Sequence, residues 1–332
     1  MRDQDTHAVP TPPRFGWLRW LDRLGPLVGL LVLWGLFAAL RPQTFPTWPN
    51  NEVILLQTAV VATAAVGMTV IIIAGGIDLS VASVIAVVCV CIALMLNAGV
   101  PPLVAALGAV ALGAACGAAT GALVSFCGIG SFIVTLGAMG AYRGLAKGLA
   151  GEQMITVPHQ GWLGHLLRPL RAGEHWMLLP PGVWIMAVVA LLGAGFLRYT
   201  RLGHHVFAVG SNEQTARLCG VRVRLVKLAV FSLGGAMAGI AGVLQFARDN
   251  VGNPTTAPAY ELSVIAAVVI GGGSLAGGQG SIFGSIVGAL VMSTIANGCN
   301  KVDMPTWVQE IITGLIIIAA VGLDRLRHRY DW

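Results

Sequence analysis

From Leu79 to Tyr142 the sequence contains no aspartate, glutamate, lysine, arginine or histidine. Water cannot be the solvent for such a run, because a soluble domain carries about 25% charged residues to cover its surface. A helix that crosses a bilayer needs about 20 apolar residues, so the run holds roughly three crossings. Other uncharged stretches are Val53–Ile77, Trp176–Leu197, Leu228–Ala247 and Leu262–Asn300, the last long enough for two crossings. Leu24–Leu40 and Met304–Leu323, interrupted only by Glu310, add one each, which brings the count to ten. The whole chain agrees: 10% of its 332 residues are charged, 56% are hydrophobic, and the mean hydropathy is +0.80. In hydrocarbon every backbone N–H and C=O must be satisfied internally, so the crossings are helices or a closed barrel. A barrel would show short strands of alternating hydrophobicity, and this sequence has none. The expected fold is all-α, a polytopic integral membrane protein with about ten transmembrane helices.

The net charge of +6 is explained by topology rather than by nucleic acid. Thirteen of the twenty Lys and Arg residues lie in three places: the N-terminal tail, Arg198–Lys227, and the C-terminal tail with Arg325, Arg327 and Arg329. With ten crossings all three fall on one side of the membrane, and the positive-inside rule makes that side the cytoplasm. The expected organisation is a cytoplasmic tail over residues 1–23, a transmembrane domain over 24–323 containing a cytoplasmic loop at 199–225, and a second cytoplasmic tail over 324–332. The first dozen residues, rich in Pro, Thr and charge, read as a disordered tail. The apolar segment after Arg14, Arg19 and Arg23 has no small-x-small exit before Arg41, so it reads as an uncleaved anchor.

The six cysteines do not form a disulfide framework or a metal set. Cys89, Cys91, Cys116 and Cys127 lie in or at the ends of apolar runs, and Cys89 and Cys91 point to different helix faces. In the segment Ala150–Pro181, external by this topology, His159, His165 and His175 lack regular ligand spacing. Much of the glycine lies inside spans. Gly108, Gly113, Gly117 and Gly121, and likewise Gly280, Gly284 and Gly288, recur at helical spacing and read as close-packing faces.

Two places break the apolar pattern. In Ala74-Gly75-Gly76-Ile77-Asp78-Leu79-Ser80, paired glycines precede a carboxylate and a hydroxyl between two apolar runs. Asp78 is expensive at membrane depth unless it faces water or a partner, or caps the next helix beginning near Leu79. The second break, Gly271 to Ser281, holds six glycines in eleven residues and reads as a tight turn or re-entrant element. Glycine-interrupted segments in both halves of a transporter point to its substrate path, which makes Gly75, Gly76, Asp78, Ser80, Gly272 and Ser274 candidate path or gate residues; Asn297, further along the same uncharged stretch, is counted with them. Glu261 and Glu310 start spans, where the helix dipole favours them. Arg143 and Lys147, four apart near a span's outer end, are expected to snorkel.

The basic loop contains Ser211-Asn-Glu-Gln214, which fits a capping box with Ser211 at the N-cap and Gln214 reaching back. Gly220 stands where a helix end takes a left-handed residue, and Arg217 lies in the last turn. A helix of about two turns is not stable alone in water. It either lies on the membrane surface or docks on a cytoplasmic partner. Enzymatic constellations are missing: there is no GxxxxGK[ST], no HExxH, no paired intramembrane carboxylates and no Ser-His-Asp set. The chain reads as a transport subunit without cofactor or metal, and any ATP must be bound by another chain.

Three passages carry a family resemblance. Gly67–Ala86, with GGIDLS inside it, Phe207–Val223 (FAVGSNEQTARLCGVRV) and the glycine-rich Glu261–Leu290, followed by Asn297-Gly298, resemble the permease subunits of bacterial ABC importers for monosaccharides such as ribose and xylose. Thr215 stands where the family commonly has alanine. The likeness runs from about residue 25 to 323. It implies a second permease subunit, identical or paralogous, two ATPase subunits, an external (periplasmic or extracellular) sugar-binding protein, and residence in the bacterial inner membrane. It also implies that the short helix is the coupling helix seated in the ATPase, with Asn212, Glu213, Ala216, Arg217 and Gly220 as coupling residues. Transport of a pentose or hexose would proceed by alternating access, driven by nucleotide and the binding protein. The alternatives are an ion-coupled secondary transporter, for which Asp78 is the sole internal candidate, and an ABC permease for a nucleoside or inositol.

Overall fold

The computed structural model describes residues 16–171 and 173–330. Its helices are α1 (Gly16–Leu40), α2 (Trp48–Ile73), α3 (Val81–Asn97), α4 (Pro102–Phe126), α5 (Ser131–Leu149), α6 (Pro181–Tyr199), α7 (Arg201–Ser211), α8 (Glu213–Leu218), α9 (Val223–Asp249), α10 (Tyr260–Ile270), α11 (Ile282–Lys301) and α12 (Thr306–Tyr330). The dozen residues expected to be disordered, and Arg14, lie outside the described residues. Helix α1 starts at Gly16, ahead of the boundary drawn at residue 23. Among the described residues the strands are β1 (Ile155–Thr156) and β2 (Val251–Gly252), an antiparallel ribbon with Ile155 opposite Gly252.

The fold is that of an all-α polytopic membrane protein. Among the described residues five helices are long and apolar enough to cross a bilayer: α2, α4, α6, α9 and α11. The stretch Leu262–Asn300 divides unequally. Helix α10 has 11 residues, about 16 Å at 1.5 Å per residue, because the glycine run ends it at Gly271 and the chain then turns through Gly272 at φ +88°.

Helix α2 is the axis of the molecule. From Thr58 to Ile73 it is buried on every side, and it packs against α9, α11, α6, α10 and α7. A helix apolar all round needs such a cover. Its buried threonines Thr58, Thr63 and Thr69 return their hydroxyls to the carbonyls four residues back, at 2.7, 2.7 and 2.6 Å. Thr69 also reaches Ser285 of α11 at 2.7 Å, which pins the register of the two helices.

The glycine faces act as packing faces. A Cβ on Gly113 would fall 2.8 Å from the Gly239 Cα, and one on Gly117 would fall 2.9 Å from the Gly235 Cα. Helices α4 and α9 therefore meet backbone to backbone. Gly284 and Gly288 of α11 lie in the same way on the Gly271 and Ala267 carbonyls.

Arg143 departs from expectation. Rather than snorkelling, it donates to the carbonyls of Pro254 and Thr256 at 3.1 and 2.9 Å. The non-helical connection between α9 and α10 leaves carbonyls that need donors, and a half-buried guanidinium supplies them. At the same end Glu52 of α2 accepts from the Leu170 amide at 2.8 Å, tying down the segment between α5 and α6. Arg168 and Glu174 within that segment form a two-pronged ion pair at 2.5 and 2.8 Å, which holds the Glu174 carboxyl down at about 2.

Candidate functional site

Thr200 ends α6 and opens α7, its hydroxyl accepting from the Gly203 amide at 3.0 Å. Helix α7 then runs to Ser211, so the loop at 199–225 holds two helices rather than one. The cap of α8 is Asn212, not Ser211. Only Asn212 has the extended backbone an N-cap needs (φ −160°, ψ 104°), and its Oδ1 accepts from the Thr215 amide at 2.9 Å. Asn212→Ala is expected to cost about 1 kcal/mol of local stability, read as faster hydrogen exchange at the α8 amides. Ser211→Ala should leave that exchange unchanged, and an equal effect would contradict the assignment.

At the other end of α8, Gly220 takes φ +84° as expected, and the Val221 amide closes the turn on the Ala216 carbonyl at 3.0 Å. Ala216 is buried beneath the helix, whereas Leu218 is 89% exposed. Glu213, in the first turn, bonds Arg217 at 3.0 Å and Lys227 of α9 at 2.7 Å. Sequence reasoning missed Lys227. Its signal was its place as the last cation before the uncharged run of α9.

The Lys227 hydrogen bond, foremost, holds the Glu213 carboxyl below its ordinary value despite partial burial. A depressed carboxylate keeps its link above the ordinary pKa, about 4.3, and loses it only as pH falls through the lowered value. The ratio of wild-type to Glu213→Gln transport should therefore stay flat between about pH 5 and 8. A ratio that drops toward pH 6 would contradict this.

The first break does not form the cap expected of it. Helix α3 begins at Val81, with Ser80 at the N-cap position. Asp78 is buried and turns back on Ser80, accepting from its amide at 2.8 Å and its hydroxyl at 2.6 Å. The carboxylate thus satisfies the residue at the helix start rather than the helix itself. Ile77 ties this break to α5: its amide donates to the Ser131 hydroxyl, and its carbonyl accepts from the Thr135 hydroxyl, each at 3.2 Å.

The second break closes on itself through the Ser274 amide and the Gln279 carbonyl at 3.2 Å, and Ser274 is buried. Its Gly278 amide donates to the Ile73 carbonyl at the end of α2, at 2.8 Å. Gly210 of α7 lies against both groups; a Cβ there would overlap the Ile73 carbonyl and fall 2.7 Å from the Gly278 amide. Gly277 and Gly278 reach this contact with φ of +91° and +75°, a conformation open to glycine. The end of α2, the end of α7 and the glycine-rich turn thus share one backbone junction.

Beside this junction lies a cavity of about 640 Å³ lined by Gly75 and Gly76, by the α4–α5 turn, and by Glu213, Arg217 and Lys227. Four sequence-predicted residues, Gly75, Gly76, Glu213 and Arg217, therefore meet there. Asp78, Ser80, Gly272 and Ser274 are absent from its lining. Asn297 is buried on α11, 15 residues into the helix and about 22 Å along it.

The family described as "Branched-chain amino acid transport system / permease component" matches residues 51–321. The ribose import permease protein of Escherichia coli is 40% identical, over 93% of this chain and 95% of the relative. The D-allose transport system permease protein of the same organism is 34% identical over 94% of each. The xylose transport system permease protein of Haemophilus influenzae is 30% identical, over 90% of this chain and 94% of the relative. No solved structure matches the chain. Matched along nearly its whole length by these permeases, the chain belongs to this permease family, among the sugar permeases of ABC importers.

Proposed function

We propose that this chain is the membrane-spanning subunit of an ATP-driven importer that moves a monosaccharide, pentose or hexose, handed over by an external binding protein. Ten helices, α1 to α6 and α9 to α12, make the crossings, with both termini in the cytoplasm of a bacterial inner membrane. The short α10 and the glycine turn after it share one crossing, since non-helical backbone is tolerated at depth where protein covers it. A second permease subunit and two ATPase subunits complete the assembly.

The observation that carries the reading is α8. A helix of six residues has its own cap and its own ion pairs, yet presents Leu218 almost fully to solvent. Such a helix is too short to stand by itself, and an apolar side chain at its tip suits the groove of a partner. Asn212, Glu213, Ala216, Arg217 and Gly220 shape and hold it. An ion-driven carrier would instead need a free intramembrane carboxylate, and Asp78 is engaged by Ser80.

The test is to tag the chain, purify it gently from its native membrane and identify what accompanies it. An ATPase with a phosphate-binding loop is expected. Leu218→Asp should cut the recovered ATPase by about tenfold, the equivalent of losing one buried leucine contact. Transport by the lone chain, with no ATPase in any preparation, would replace the reading with an ion-driven carrier.

A further inference from the structure

The segment between α5 and α6 has two unlike sides. Leu163, Leu166 and Leu167 are buried against the helices, and Arg168 is spent on Glu174 and His165. Further on, the segment leaves large apolar groups outside. Trp176 is 79% exposed and Leu178 69% exposed. They flank Met177, in a single 3-10 turn (His175–Met177) and the bend that follows it. Leu178 takes φ +60°, a conformation uncommon for a bulky side chain and kept only where the surroundings impose it. Two large apolar side chains held outward in this way need a cover.

The length of α6 says what lies at their level. From Pro181 to Tyr199 it has 19 residues, about 28 Å at 1.5 Å per residue. That is close to the about 30 Å of hydrocarbon in a bilayer. Its exposed face is apolar along that length. Trp184, Val188, Leu191 and Leu192 are all exposed, at the i, i+4, i+7 and i+8 spacing of one helical stripe. With Pro181 at the outer edge of the hydrocarbon, Trp176 and Leu178 fall in the headgroup layer above it. The turn is also joined to the stripe, because the Trp184 indole donates to the Met177 carbonyl at 3.1 Å. Tryptophan, an apolar body with one N–H donor, is suited to that layer. We propose that the turn carrying Trp176 and Leu178 is a seat in the outer headgroup layer, covered by lipid rather than by another protein. The seat braces the outer end of α2, since Glu52 accepts from the Leu170 amide a few residues before it. The proposal rests on α6 being a crossing, as above, and on nothing that concerns the cargo or the energy source.

The full chain, with Cys127→Ser and Cys219→Ser to remove its exposed thiols, is labelled with a nitroxide at Leu178→Cys or at Leu191→Cys. It is reconstituted into vesicles of phosphatidylethanolamine and phosphatidylglycerol. Collisions of each label with oxygen and with a water-soluble nickel chelate are then measured by power saturation. The oxygen-to-chelate ratio at Leu178 should be about tenfold that of a free nitroxide in water, because an interfacial side chain lies about 5–10 Å into the boundary. At Leu191, in the middle of the stripe, it should be higher still. Adding Trp176→Ser should move the Leu178 ratio back toward water and leave the Leu191 ratio unchanged. The same substitution in the unlabelled chain should quicken hydrogen exchange at the Leu170 amide by about tenfold, as the brace loosens locally.

A Leu178 ratio equal to that of the free nitroxide would overturn the proposal. So would a ratio that rises only when the other subunits and the external binding protein are added, since a protein would then be the cover. Failure of the crossing looks different: the label at Leu191 would itself read as water.

Discussion

Gly117→Leu should leave almost no folded protein to recover. Helix α4 lies on α9 with no side chain between them at this point. A Cβ on Gly117 would overlap the Phe231 carbonyl oxygen, lie 2.9 Å from the Gly235 Cα and lie 3.0 Å from the Gly235 amide nitrogen. These neighbours are backbone, so no rotamer change relieves the overlap and the helices must part. Overpacking a core that can adjust its side chains costs about 1–3 kcal/mol, and a backbone overlap costs more. That is a large share of the about 5–15 kcal/mol that holds a typical domain. In lipid, moreover, no hydrophobic force pulls the parted helices together again. The control is Gly195→Leu on α6, where a Cβ meets nothing within 4 Å and leucine is the better helix former. Fluorescence-detected size exclusion in mild detergent reads both variants. A Gly117→Leu protein that elutes as the wild type does would sink the backbone-contact argument.

The same contact explains what could be read in the sequence. Bilayer crossings announce themselves by the absence of charge, so the helical stretches were visible, and glycine at three- to five-residue spacing marked α4 as a packing face. Nothing in a sequence says which face receives it, and the Gly235–Gly239 surface of α9 appears only once the helices are set side by side. The α8 cap was misplaced by one residue because Ser211 and Asn212 are both good capping types. The deciding quantity was backbone conformation, extended at Asn212 and helical at Ser211. Arg143 looked free because its acceptors, Pro254 and Thr256, are more than a hundred residues away. Least legible was the junction of Ile73, Gly210 and Gly278. Each lies in one of the three passages that carry the family resemblance, and a single carbonyl joins them. Local pattern finds each passage, and only the fold brings them to one point.

Reversing the charge at Lys227 should uncouple transport, and a second reversal should recover it. Glu213 is the group through which α8 is fixed to α9, with Lys227 at 2.7 Å and Arg217 at 3.0 Å. The Glu213 side chain is 40% exposed, so solvent screens the attraction and the pair itself is worth at most about 1 kcal/mol. Deleting a partner is therefore a mild change. Placing like charges together is harsher, because the lost attraction is replaced by a repulsion of similar size, so the two add. Lys227→Glu sets two carboxylates at hydrogen-bonding distance and drives α8 off α9, and Glu213→Lys gathers three cations in the same space. Each single reversal should lower uptake by about tenfold, with the rate falling more than nucleotide hydrolysis. The double reversal restores an opposite pair across the α8–α9 gap and should return uptake to within about threefold of the wild type. Recovery of this kind belongs to a link between two elements, since two independent lesions would add. If the double variant is no better than either single one, while the ATPase still accompanies it, then α8 moves without pulling on α9. Its motion would reach the membrane through Gly210 and the end of α2 instead.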